Sequence, residues 1–94
     1  MKTTKVAVAK NIEFNVVEMT RDEVLRDFGY DISDNDGAIT ELAIEDGEGS
    51  LFAYGLESGE YAMYISGRGL YRKVASRDEA MKMLVEDEMR WQGM

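Results

Sequence analysis

The chain has no cysteine, no histidine and no proline among its 94 residues, and a single tryptophan. The first two absences exclude a disulfide framework, a Cys/His zinc site, a cysteine nucleophile and an imidazole base. Long apolar runs are missing as well: none approaches the roughly 20 residues that span a bilayer. Near the N-terminus the longest apolar stretch is Val6–Ala9, shorter than the core of a secretory signal. A cytoplasmic location is therefore expected, and the absent cysteine fits a reducing compartment. Cations are scarce: 11 Lys and Arg face 19 Asp and Glu, for a net charge of −8. That balance argues against direct binding to nucleic-acid phosphate or to an anionic membrane. What remains, 45% apolar and 32% charged residues, is the composition of one folded domain and not of a disordered chain.

Strand-like alternation opens the chain. Val6 and Val8, then Ile12, Phe14 and Val16, recur with a period of two and predict a hairpin turning at Lys10-Asn11. Thr20-Arg21-Asp22-Glu23 matches a capping box, in which a hydroxyl and a glutamate satisfy free amides of a helix's first turn. Val24, Leu25 and Phe28 give that helix its apolar stripe, and Gly29 supplies its stop. From Ala38 to Val74 the pattern returns to strands at 38–45, 50–56, 61–65 and 70–74, separated by glycine-marked turns that favour an antiparallel meander. Ser76-Arg77-Asp78-Glu79 repeats the chemistry of the first helix start and opens a second helix through about Trp91. The expected fold is α+β, a single domain over residues 1–94 in the order ββα-ββββ-α, with both helices on one face of the sheet. The resemblance between the two helix starts reads as two independent uses of a good cap, because the strands before them do not align.

Several patterns invite chemistry and are better explained otherwise. Aligning Gly37 with the invariant glycine of a calcium loop puts Asp34 and Asp36 at ligand positions, but Ile32 and Ala43 fall where the first and the bidentate ligands belong. The segment Asp31–Asp36 is therefore read as a polar turn, and no metal or cofactor is expected. Gly67-Arg68-Gly69 lacks the strand and helix that frame a phosphate-binding loop and reads as a hairpin turn. Carboxylates are plentiful, yet one tryptophan near the end of the chain does not suggest a sugar-sized cleft for glycosidase chemistry. Tyr54, Tyr61, Tyr64 and Tyr71 lie in strands where bases could stack, but their surroundings are negative, so cross-strand packing is the expected role. Tyr61, Met63 and Ile65 are expected beneath a helix, with Tyr64 on the opposite face. Trp91 is expected as a terminal core anchor, the alternative being an exposed contact. The seven methionines suit adaptable core filling or a contact surface able to repack. The expectation is a protein that binds and is not an enzyme.

The charge map is more specific. Ten acids lie between residues 27 and 60, namely Asp27, Asp31, Asp34, Asp36, Glu41, Glu45, Asp46, Glu48, Glu57 and Glu60, with no Lys or Arg among them. The rest of the chain is close to neutral, with nine acids and eleven bases. On a strand, Glu41 and Glu45 would share a face about 13 Å apart, flanked by acidic turns. Such a concentration of like charge destabilises the fold through self-repulsion and speeds association with a basic partner. The candidate partner-binding residues are Asp31, Asp34, Asp36, Glu41, Glu45, Asp46, Glu48, Glu57 and Glu60, with Tyr54 and Tyr64 as aromatic anchors.

In size, acidity and composition the chain resembles the small inhibitor proteins carried by bacteriophages, including anti-CRISPR and anti-restriction proteins, some of which mimic DNA by placing carboxylates where phosphates would lie. It is similar in the same respects to nuclease immunity proteins and nuclease inhibitors. The resemblance implies a cytoplasmic, non-catalytic protein that occupies the groove of a basic, nucleic-acid-binding enzyme. The competing expectation is a structural or accessory module that self-associates through a sheet edge or the methionine-bearing helix.

Overall fold

The computed structural model describes residues 1–94 and contains one six-stranded antiparallel sheet whose strands are adjacent in chain order. β1 (Lys2–Ala9) and β2 (Ile12–Thr20) form the first hairpin. Asn11 at its tip takes a positive φ, which asparagine tolerates better than most residues. β2 runs straight into α1 (Arg21–Phe28): Thr20 is both the last residue of the strand and the N-cap of the helix. The capping box forms in full, with the Glu23 N–H donating to Thr20 Oγ1 and the Thr20 N–H donating to Glu23 Oε1. Gly29 ends the helix in the left-handed conformation. A single 3₁₀ turn at Ile32–Asp34 leads to the meander β3 (Thr40–Ile44), β4 (Leu51–Gly55), β5 (Tyr61–Ile65) and β6 (Gly69–Val74). α2 (Arg77–Trp91) closes the chain. Its cap is half of a box, since Ser76 Oγ accepts from the Glu79 N–H and no bond returns from the Glu79 side chain.

The α+β class, the antiparallel sheet and the element order agree with expectation, and β3 begins two residues later than expected, at Thr40. The placement of the helices differs. Residues paired across strands share a face, and the buried side chains sort by that rule into two clusters. Phe14, Val16, Leu42, Ala53, Met63 and Val74 lie with Ala80, Leu84 and Val85 of α2. Met19, Tyr54 and Ala62 lie on the opposite face with Val24 of α1, Ile32, Ala38 and Leu56. α2 therefore covers one side of the sheet, while α1 and the 3₁₀ turn cover the other. The physical reason is in the central strands: Leu51–Leu56 and Tyr61–Ile65 are apolar on both faces and need cover on both.

Between the faces the side chains divide as their register demands. Tyr61 and Met63 pack on the α2 side, and Tyr64 faces the α1 side. There Tyr64 joins Phe52 and Tyr54 in an aromatic trio with ring centroids 5.1–5.7 Å apart. Trp91 is not a core anchor; it is 57% exposed on the last turn of α2.

Candidate functional site

Two groups of carboxylates differ in what the fold does with them. The first group is built into the structure. Glu88 sits on the buried stripe of α2, 1% exposed. It accepts hydrogen bonds from the N–H groups of Glu48 and Gly49 at 2.9–3.0 Å and from Gln92 Nε2 at 2.7 Å. Burial raises the Glu88 carboxyl, and the bonds from Glu48, Gln92 and Gly49 overcome that effect and hold it below the ordinary value. A Cβ at Gly49 would lie 2.4 Å from Asp87 Oδ2 and 3.2 Å from Trp91 Cδ1, so the Asp87 carboxylate would have to move to admit a side chain there.

Glu18 is the second such group. It accepts from Arg77 Nε at 2.8 Å and from Tyr61 Oη at 2.7 Å, while Arg77 also donates to Thr4 Oγ1 at 3.1 Å. Here too burial raises the carboxyl, and the bonds from Tyr61 and Arg77 bring it below the usual value. Tyr61 is pushed up to about 12, first by burial and then by its bond to Glu18. This cluster ties β1, β2 and β5 to the start of α2. Neither Glu18 nor Glu88 stood out as a site in the sequence. The available signal was register: Glu18 is two residues beyond Val16 on a strand, and Glu88 is four beyond Leu84 on a helix, both in line with apolar neighbours.

The second group is the acidic set expected at the surface. Glu45, Asp46 and Glu48 occupy the β3–β4 turn and are exposed. Glu57 and Glu60 occupy the β4–β5 turn, which the pairing of Thr40 with Gly55 and of Gly55 with Tyr61 places beside the start of β3. Asp31, Asp34 and Asp36 lie in the segment that enters β3 from α1. Glu41 is on β3 itself, half-buried on the α1 face. The nine carboxylates thus gather at the two ends and one side of a single strand. Lys73 is the only base in ion-pair contact with any of them, 3.7 Å from Asp36.

Local contacts distinguish members of the set. Asp31 Oδ1 accepts from the Ser33 N–H and hydroxyl at 2.9 and 2.7 Å, the geometry of the polar turn read from the sequence. Both oxygens of Glu41 accept from Tyr30 Oη at 2.9 Å. Burial raises the Glu41 carboxyl, and the tyrosine hydroxyls offset this only in part, so it stays above the ordinary value. The tyrosines named as anchors lie inward: Tyr54 is 7% exposed and Tyr64 half-buried within the aromatic trio. The aromatics that do stand out beside the acids are Phe28, 61% exposed, and Tyr30, 43% exposed, with ring centroids 6.3 Å apart. Phe28 follows the buried Val24 by one helical turn, but α1 ends there and leaves its ring beyond the packed cluster.

Compared with known proteins, the chain matches no family model, no curated protein and no solved structure. No helix is long and apolar enough to cross a membrane.

Proposed function

We propose that this protein is a cytoplasmic inhibitor that binds a basic, nucleic-acid-binding enzyme, of the restriction, CRISPR-effector or other nuclease class, and occupies the groove meant for nucleic acid. The observation that carries this reading is the near-absence of compensating cations around the nine carboxylates. β3 covers roughly 17 Å at the usual rise of a strand. A DNA duplex presents about one negative charge per 1.7 Å of axis, so an acidic set gathered along and around that strand has a charge density of the same order. A groove lined with Lys and Arg would meet complementary potential without a phosphodiester to cut, and the protein itself performs no chemistry. Phe28 and Tyr30 take the apolar anchoring role first assigned to Tyr54 and Tyr64.

The test is a panel of restriction and CRISPR nucleases cleaving plasmid DNA at low salt with increasing amounts of this protein. Near-stoichiometric inhibition of one of them is expected, together with its loss in a variant carrying Asp34→Asn, Glu45→Gln, Glu48→Gln and Glu57→Gln. Equal inhibition by that folded variant would reject charge mimicry. The exposed Leu70 and Tyr71 on the edge strand β6 support a second reading, a module that self-associates edge to edge. Salt-insensitive dimerisation in light scattering would favour it.

A further inference from the structure

α1 is too short to cover its face of the sheet. Where it stops, a cleft of about 350 Å³ opens over β2 and β3. Its floor is apolar, formed by Val17, Met19 and Ala43, and the Phe28 ring forms a wall. Around that floor stand Glu41, Glu45 and Asp46, none of them paired with a base. An apolar base with an anionic rim matches a side chain that is aliphatic along its stem and cationic at its tip.

Resting on the function proposed above, we propose that this cleft is the receptor for one arginine side chain of the partner enzyme. The stem would lie on Val17, Met19 and Ala43, and the guanidinium would face Phe28 and the carboxylates of Glu41 and Glu45. Arginine suits the place better than lysine. Its guanidinium is planar, weakly hydrated and able to stack on an aromatic ring, whereas an ammonium keeps a tight water shell. It can also bridge two carboxylate oxygens with parallel N–H donors. Glu41 is prepared for such a guest. Half-buried, it is bound only to neutral tyrosine hydroxyls, and its raised carboxyl marks a charge that burial disfavours and an incoming cation would stabilise. Met1 borders the cleft but does not supply that cation, because Glu23 engages its ammonium.

The experiment is an NMR titration of the isotope-labelled protein with acetyl-arginine amide and, separately, with acetyl-citrulline amide, which has nearly the same shape and no charge. Arginine is expected to shift the methyl signals of Val17, Met19 and Ala43 saturably, and citrulline to bind at least tenfold more weakly. Glu45→Gln, a surface change that leaves the fold intact by its unchanged spectrum elsewhere, is expected to weaken arginine binding severalfold. Equal binding of citrulline, arginine shifts centred on the Glu57–Glu60 turn or on α2, or no saturable shift would each overturn the proposal. Nuclease inhibition that persists when arginine does not bind rejects the cleft alone. Loss of inhibition on neutralising Asp34, Glu48 and Glu57, which lie outside the cleft, with arginine binding retained, supports both readings.

Discussion

Glu88 illustrates how one carboxylate can be structural while its neighbours are free. Its side chain collects amide hydrogens from the β3–β4 turn, so removing it leaves those partly buried N–H groups without their acceptor. Glu88→Ala is expected to lower stability by about 2 kcal/mol, measured by urea denaturation. Its pH dependence follows from direction. The folded carboxyl lies below its unfolded value, so its contribution is present above about pH 4.5 and fades as pH falls through the folded value. Glu18 behaves in the same way. Glu41 has the opposite sign: raised in the fold, it favours the folded state most when protonated and opposes it as pH rises through its folded value. Urea titrations from pH 3 to pH 6 are therefore expected to give Glu88→Gln a flatter acid limb than the parent protein and Glu41→Gln a steeper one. Unchanged limbs would remove both residues from these roles.

At the scale of elements, helix starts, turns and strand spacing were legible because they depend on neighbours in sequence. Thr20 and Glu23 announce α1, Gly29 ends it, and the glycine-marked turns separate the strands of the meander. Which face each helix covers was not legible. Phe52, Tyr54 and Tyr64 are as apolar as Leu51, Ala53 and Met63 on the other side, and no local rule distinguishes the two. The acidic loops of the candidate site could be read directly, since loops are solvated wherever they fall. The cleft depends on where α1 stops over β2 and β3, and the inward turn of Tyr54 depends on that same cover. The contact between α2 and the β3–β4 turn has an element-level consequence. Gly49→Ala would press a methyl group against Asp87 and Trp91 and is expected to destabilise the protein by roughly 1–3 kcal/mol. Hydrogen exchange should localise the loss of protection to the last turns of α2 and to the β3–β4 turn. A global loss with no such focus would contradict that docking.

For the whole molecule, the acids divide between those the fold employs, such as Glu18 and Glu88, and those it leaves exposed around β3. A folded protein of net charge −8 with so few ion pairs carries self-repulsion that salt can screen. Its thermal midpoint is expected to rise by several degrees between 10 mM and 0.5 M NaCl. The fourfold neutralised variant should start higher and respond less, and equal salt responses would place the repulsion elsewhere. The most direct test of the central claim, that this uncompensated surface takes the place of nucleic acid, is affinity capture on the immobilised protein followed by elution with duplex DNA. The expected result is one dominant nucleic-acid-binding enzyme, released by DNA and absent from the neutralised variant. Capture that DNA does not displace, or that the neutralised variant matches, would contradict the claim.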